Sequence, residues 1–149
     1  MANFNGTARS NYVKVKDVAA ATSALEPFGN EIHKHPDNAD YIAIFGGCYD
    51  TGTFLTTLED DEGEGIGLDF AAWAQEHLAP GQVLVLMTAG AEKQRYVSAW
   101  AEAHTWDGRS VSIRLDTALD NLIRSELGLD PDTVAPATYL DFSEGAKPL

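Results

Sequence analysis

The chain has 149 residues, of which 44% are hydrophobic, and a formal net charge of −13 at pH 7. A chain of this length fits one domain that buries about two-thirds of the surface exposed in its unfolded state. The negative charge argues against nucleic acid and anionic membranes as direct partners, because proteins bind both through basic faces. It permits the opposite kind of partner, a basic protein surface.

Cysteine content and hydropathy bear on the compartment. The lone Cys48 cannot form an internal disulfide, which suits a reducing environment. No stretch approaches 18 consecutive apolar residues, and no apolar run follows a basic start, so neither a membrane span nor a signal peptide is expected. We therefore expect a cytoplasmic protein.

The first half of the chain predicts strands around one helix. Residues 1–10 are small and polar and predict a flexible arm. Val13 and Val15 alternate with lysines, which predicts a strand over residues 11–16. Asp17 then predicts the N-cap of a helix that ends near residue 25. Further strands are predicted over residues 31–35, 41–45 and 53–58.

The second half repeats this alternation. Asp69 predicts the start of a helix over residues 70–78, and Asp116 that of a last helix over residues 117–127. The predicted core stripe of the last helix consists of Leu119, Leu122, Ile123 and Leu127. Strands are predicted between the two helices at 82–88, 95–105 and 110–115, and an extended tail is predicted at 129–149. This order predicts a single α+β domain over residues 1–149, with a largely antiparallel sheet and about three helices packed on it.

An uneven charge distribution is the most informative feature of the sequence. Between Lys34 and Lys93 there are 58 residues without a lysine or arginine, and they hold 11 of the 23 carboxylates. Five acids occur in the six positions 59–64, within a predicted acidic loop over residues 59–68. Like charges this close repel by about 1 kcal/mol per pair at ~4 Å even in bulk water. The loop is therefore solvated, condenses a cation, or meets a basic partner.

A calcium-binding loop of the EF-hand type fits this run poorly. A glycine, Gly65, does stand at the sixth position counted from Asp60, but the twelfth position, which needs a carboxylate, falls on Ala71. A solvated loop and a partner-binding acidic face remain as interpretations. The carboxylates predicted to bind a partner are Glu59, Asp60, Asp61, Glu62, Glu64 and Asp69.

Other candidate chemistry is sparse. His33 and His35 would lie on one face of a strand with Asp37 and Asp40 nearby, which resembles a metal cluster. A third ligand would have to come from His77, His104 or Cys48, which the sequence spacing does not place there. Cys48 has no basic neighbour to stabilise a thiolate, so no catalytic residue, metal or cofactor is predicted. A secondary candidate surface is the mixed-charge turn with Glu92, Lys93, Arg95 and Tyr96.

Two segments, residues 7–17 and 90–96, carry a resemblance. The sequences TARSNYVKVKD and GAEKQRY resemble those of a group of small acidic accessory proteins carried by phages and plasmids. The resemblance implies no activity, cofactor or site residue. It implies a context, because small acidic proteins of mobile elements often inhibit host defences, some by imitating the charge of DNA. The location implied for a phage-encoded protein is the host cell cytoplasm.

Two hypotheses on function follow. The first is a non-enzymatic interaction protein of a phage or mobile element, which inhibits a nucleic-acid-processing or defence protein by binding its basic surface, in part as a DNA mimic. The alternative is a small-molecule-binding or enzymatic α+β domain with a pocket between sheet and helices. Its predicted polar groups are Glu92, Arg95, Tyr96 and His104. The sequence leaves open which hypothesis holds, and it leaves the oligomeric state open.

Overall fold

In the computed structural model, which describes residues 4–48, 51–92 and 96–131, seven strands form one antiparallel sheet and two form a separate hairpin. The strands are β1 (Phe4–Ser10), β2 (Val13–Lys14), β3 (Glu31–Lys34), β4 (Tyr41–Phe45), β5 (Thr57–Glu59), β6 (Gly65–Gly67), β7 (Val83–Glu92), β8 (Tyr96–Thr105) and β9 (Ser110–Arg114). The helices are α1 (Val18–Leu25), α2 (Phe70–His77) and α3 (Leu115–Leu127), and a 3₁₀ turn, Glu26–Phe28, follows α1. The chain is an α+β domain, as predicted.

The main sheet has the strand order β2-β4-β1-β7-β8-β9, and β3 also pairs with β4. The register places Met87 of β7 opposite Ala101 of β8, and Ala101 opposite Ile113 of β9. Because successive side chains of a strand point to opposite faces, this row defines one face, here called the outer face. The other face, which carries Leu84 and Leu86, is called the inner face.

The hydrophobic core lies on the inner face, beneath α1 and α2. Leu25 of α1 and Trp73 of α2 are buried against the inner-face strands, whose Ile44 is fully buried. The indole Nε1 of Trp73 donates a hydrogen bond to the carbonyl oxygen of Ala21 at 3.1 Å, which links the two helices. Burying an apolar side chain of this kind contributes about 1.5–3 kcal/mol, so this layer is a large stabilising contribution to the fold.

The N-terminal segment corrects the prediction of a flexible arm over residues 1–10. Residues 4–10 form β1, a central strand between β4 and β7, and residues 1–3 lie outside the described ranges. Ala8 and Ser10 are buried, and the Ser10 hydroxyl accepts a hydrogen bond from the backbone N–H of Ile44 at 2.8 Å. The buried positions of β1 hold small side chains. The segment therefore lacks the large apolar residues that would have predicted a buried strand.

The side chain of Asn11 bridges the point where the chain stops pairing with β7 and begins to pair with β4. Its side-chain amide donates to the carbonyl oxygen of Val83 at 3.0 Å and accepts from the N–H of Val85 at 2.8 Å. The side chain thus continues the hydrogen bonding with β7 while the backbone moves across to pair Val13 with Ile42 of β4. The predicted strand over residues 11–16 is therefore shorter than expected, with only β2 regular.

The segment after β4 crosses other backbone at very short range. A Cβ atom added to Gly47 would lie 2.2 Å from the carbonyl oxygen of Gly29, and one added to Gly52 would lie 2.0 Å from that of Gly6. Only glycine permits such approaches. Asn30, which is buried, anchors the same segment, because its side chain accepts from the N–H of Leu55 at 2.6 Å and donates to the Leu55 carbonyl at 2.7 Å.

The acidic loop predicted over residues 59–68 is an ordered hairpin. Its first strand, β5, is shorter than the predicted strand over 53–58 and ends at Glu59, and β6 returns at Gly65–Gly67. The pairing places Leu58 opposite Ile66. The hairpin is a sheet of its own, and its residues are exposed except Leu58, which is partly buried.

The last helix differs from its prediction in two ways. It begins at Leu115, with Arg114 as N-cap residue, so Asp116 lies in the first turn and is not the cap. None of its residues is buried, and Leu119, Leu122 and Leu127 are 37%, 53% and 65% exposed. The leucine stripe is therefore not a core stripe. Of the tail predicted at 129–149, residues 132–149 lie outside the described ranges. None of the helices within the described ranges has the length and apolar content that crossing a membrane requires.

Candidate functional site

Residues 57–67, here called the acidic hairpin, carry five of the predicted partner-binding residues. Asp60 organises its turn: its Oδ1 accepts from the backbone N–H groups of Glu62 and Glu64, at 3.0 and 2.8 Å. The backbone closes the same turn, with the N–H of Asp60 donating to the Glu64 carbonyl and that of Gly63 to the Asp60 carbonyl. Five acidic residues are exposed on this turn: Glu59, Asp60, Asp61, Glu62 and Glu64.

Within the described ranges, no recorded ion pair involves these five residues. The recorded pairs lie elsewhere and join Glu31 to His33, Glu76 to His77, Glu102 to His104, Asp107 to Arg109 and Asp116 to Arg114. The hairpin carboxylates therefore keep their mutual repulsion, which a cationic partner would relieve. The described part of the chain also contains no group of three or more His, Cys, Asp or Glu side chains placed to hold a metal ion.

Two further residues near the acidic turn in sequence, Ile66 and Asp69, have different roles. Ile66 of β6 is 50% exposed, so the hairpin offers one large apolar side chain beside its carboxylates. Asp69 has a different role, since its carboxylate caps α2 by accepting from the N–H groups of Ala71 and Ala72 at 2.9 and 3.3 Å. The hairpin thus combines charge with an apolar contact, while Asp69 is engaged in starting a helix.

The secondary candidate surface is described only in part. Glu92 and Tyr96 form the last rung of the β7–β8 pairing, which places them at the end of a long hairpin. Lys93 and Arg95 lie outside the described residues.

The histidines and the cysteine do not come together. His33 lies 3.3 Å from the carboxylate of Glu31 and stacks on Phe45, whereas Nδ1 of His35 accepts from the backbone N–H of Asp37. Cys48 is partly buried in the segment after β4. Each of these side chains has a local role in packing or hydrogen bonding.

A line of three polar side chains on β8 and β9 was missed at the sequence level. Nδ1 of buried His104 lies 2.7 Å from the Ser110 hydroxyl, and Nε2 lies 3.4 Å from Glu102 Oε2 without hydrogen-bond geometry. Serine, histidine and carboxylate in a line are the groups of a nucleophilic triad. Here the weak carboxylate contact and the burial of the imidazole, which is 8% exposed, suit a structural link between the two strands.

A second surface feature, the groove between the outer face and α3, was also missed. It has a volume of about 440 Å³ and is lined almost entirely by apolar side chains. The lining includes Arg9, Met87, Ala101, Ile113, Leu115 and Ala118. Arg9 is the single charged residue among those lining the groove, and its guanidinium lies over the ring of Phe45, 4.6 Å from the ring centroid. The sequence signal was the run of small apolar residues on alternate positions of β7 and β8.

The groove lies between the sheet and a helix, where the alternative hypothesis placed its pocket, but its described lining contains none of the predicted polar groups. Of its predicted groups, His104 does not line the groove and lies on the inner face, since it pairs with Leu84. Arg95 lies outside the described residues, so no arrangement of the full predicted set is described. The groove therefore brings together residues that the sequence did not single out.

Two aspartates, the exposed Asp107 and the partly buried Asp116, have lowered pKa values. A hydrogen bond from the Thr105 hydroxyl, together with the Arg109 guanidinium, lowers the pKa of Asp107 below its ordinary 3.8. A hydrogen bond from the backbone N–H of Thr117, assisted by Arg114, lowers the pKa of Asp116. Both carboxylates are therefore ionised at neutral pH, and both stabilise local turns.

Comparison of the chain with protein-family models, with curated proteins and with solved structures finds no match. The function is therefore argued from the surfaces described above.

Proposed function

We propose that this chain is a non-enzymatic acidic interaction protein that binds the basic surface of another protein through the acidic hairpin. The observation that carries the proposal is the exposure of five carboxylates on one ordered turn that has no recorded ion pair within the described ranges. A complementary basic surface speeds association, because the summed field steers the encounter. Ile66 supplies the apolar contact that slows dissociation.

The class of partner follows from the charge. Basic surfaces of this kind occur on proteins that bind nucleic acid, and a protein of net charge −13 competes with nucleic acid for them. The proposed activity is inhibition of a nucleic-acid-processing or defence protein in the host cytoplasm, by an accessory protein of a phage or mobile element. The mimicry of DNA is partial, because the dense charge is confined to a single turn.

The experiment compares two variants of equal charge in affinity capture from host lysate. The hairpin variant carries Glu59→Gln, Asp61→Asn, Glu62→Gln and Glu64→Gln and keeps Asp60, so the turn stays closed. The control variant neutralises four exposed acids elsewhere, namely Glu31, Asp37, Asp40 and Glu76. A partner retained by the wild type and the control but lost by the hairpin variant supports the proposal. Equal retention by all three proteins contradicts it.

A captured protein must also meet a functional criterion. The purified partner is titrated with a labelled DNA duplex in the presence of wild-type chain or of the hairpin variant. The proposal expects the wild type to displace the duplex and the hairpin variant to displace it at least about tenfold less well, a difference of about 1.4 kcal/mol. A partner whose nucleic-acid binding is unaffected by the wild type would refute inhibition, although the interaction itself would stand.

The groove beside α3 favours a second candidate function, the binding of a small apolar molecule. A volume of about 440 Å³ falls within the range of ligand pockets, and an apolar lining with one arginine, Arg9, suits an apolar carboxylic acid. The test is a titration with an aliphatic carboxylic acid, followed by the change in tryptophan fluorescence, to which Trp100 in the groove lining contributes. Saturable binding that Ala101→Trp abolishes supports this function, and no saturable change up to the solubility limit of the acid excludes this ligand class.

A further inference from the structure

The strand β9 forms one edge of the main sheet. Among the described strands it pairs only with β8, and all five of its residues are exposed. An edge strand presents a row of backbone N–H and C=O groups that can pair with another strand. Natural edges are usually blunted by proline or by inward-pointing charge, whereas β9 contains no proline and has its single charge, Arg114, at its end.

The side chains next to this edge are apolar on one face only. Val111 and Ile113, on the outer face of β9, are 72% and 57% exposed. The chain continues directly into α3, whose Leu119 and Leu122 are also exposed. Exposed large apolar residues that lie singly are ordinary, but an unblunted strand edge that continues directly into a helix with an exposed leucine stripe is of the kind that marks an interface.

We propose that a second copy of this chain docks on β9 and α3, with β9 pairing antiparallel to β9 of the second copy around a two-fold axis at Ser112. In this register Val111 of each copy lies opposite Ile113 of the other, so the two-fold axis generates two such pairs on the outer face. Ser112 lies opposite its own copy on the inner face. Such β-branched cross-strand pairs are favourable, and the interface is self-complementary as a two-fold axis requires. The two α3 helices then lie side by side, with their leucine stripes in contact.

The net charge of the whole chain opposes self-association, but the segment that would form the contact is neutral. Residues 109–126, which span β9 and most of α3, contain three arginines and three acids, so their net charge is zero. The acidic hairpin belongs to a different, two-stranded sheet. The segment that contributes the proposed contact therefore adds no net charge to it, so the contact itself does not add to the repulsion between two copies.

The size of the surface predicts a weak, reversible dimer. A 13-residue helix is about 20 Å long and a five-residue strand about 17 Å long. Contacts roughly 10 Å deep along both give about 400 Å² per copy, or about 800 Å² in total, which is below the standard size for stable complexes. The proposal thus rests on a surface independent of the acidic hairpin, and dimer formation is expected to depend on concentration.

Cysteine cross-linking tests the register directly. In a Cys48→Ser background, Ser112→Cys places two thiols on directly opposed residues, whose Cα atoms lie about 4.5–5.5 Å apart, within the range a disulfide spans. The matched control, Ser110→Cys, puts the thiols four residue positions out of register, about 13 Å along the strand, beyond that range. We expect covalent dimer from Ser112→Cys at least tenfold faster than from Ser110→Cys. Equal rates overturn the proposal.

Sedimentation velocity of the full chain, from about 5 to about 500 µM, gives a second readout. We expect a shift from the 16.1 kDa chain mass towards twice that mass. Val111→Glu introduces the charge twice per dimer and should raise the dissociation constant about 100-fold, while the control Ile66→Glu leaves it unchanged. A monomer throughout this concentration range overturns the proposal, even if a different partner binds the surface. So does a dimer that Val111→Glu does not weaken.

Discussion

The carboxylate of Asp60 accepts a hydrogen bond from the backbone N–H of Glu64 at 2.8 Å, so Asp60 has a structural role that the side chain of Glu64 does not share. Asp60 closes the turn, whereas the other four carboxylates project from it. This division means that the charge of the acidic hairpin and its shape can be changed separately. Asparagine at position 60 keeps the accepting oxygen and removes the charge, and alanine removes both.

Asp60→Ala should loosen the hairpin without unfolding the domain. Loss of two hydrogen bonds to an exposed turn is expected to speed amide exchange at Glu62 and Glu64 about fivefold or more, while the core amide of Leu86 stays protected. Asp60→Asn is the control and should speed exchange less. Hydrogen exchange followed by NMR measures both variants. Identical exchange in wild type and Asp60→Ala would show that the backbone bonds alone close the turn.

Asn30→Ala should lower the free energy of unfolding by about 2 kcal/mol. The buried side chain holds both the N–H and the C=O of Leu55, and its loss leaves these groups without their partner. Urea denaturation measures the change. Asn38→Ala, at an exposed position in the turn before β4, is the control and should change stability by less than about 0.5 kcal/mol. An equally small effect at Asn30 would mean that water replaces the side chain.

Leu86→Ala and Leu122→Ala should differ sharply, although both remove the same group. Leu86 is 1% exposed in the core and its truncation is expected to cost about 2–5 kcal/mol. Leu122 is 53% exposed on α3, so its truncation should cost less than about 0.5 kcal/mol in dilute solution. Urea denaturation at about 1 µM, below the range in which the proposed dimer forms, compares the two variants. A large cost at Leu122 would mean that its stripe is buried in the monomer.

Acid titration should reveal the hydrogen bond to Asp107. Because its pKa is lowered on folding, the ionised carboxylate stabilises the fold above the ordinary value of 3.8, and this contribution is lost as pH falls through the lowered pKa. Thr105→Val removes the hydroxyl and should raise the Asp107 pKa, measured by NMR of the carboxyl carbon, while Thr105→Ser retains it. The pKa of Asp116, lowered chiefly by the Thr117 N–H, should be the same in both variants. An unchanged Asp107 pKa in Thr105→Val would assign the shift to Arg109 instead.

Local sequence signals predicted the elements whose residues contact their own neighbours. Asp17 and Asp69 both cap helices, at α1 and α2, because a carboxylate can accept from N–H groups two or three residues away. The continuous apolar run at 41–45 likewise predicted β4, although it could not predict which strands lie beside it. These predictions are confirmed because they depend on interactions within one short segment.

The prediction failed where the outcome depends on residues distant in sequence. Residues 4–10 carry no apolar alternation, and only the strands β4 and β7 on either side make them a strand. The leucines of α3 have the spacing of a core stripe, but spacing does not say what lies opposite, and the core was already closed by α1 and α2. The groove was missed for the same reason, since it joins β1, β7, β8, β9 and α3.

The most direct test of the proposed function is the rate at which the captured partner associates with three proteins of known charge. Wild type, the four-site hairpin variant and its equal-charge control are compared at about 50 and 500 mM salt, where the Debye length falls from roughly 14 to 4 Å. We predict that the hairpin variant associates at least about tenfold more slowly at low salt, and that the difference shrinks at high salt. Equal association rates for the hairpin variant and its control, at either salt concentration, would contradict the acidic hairpin as the binding surface.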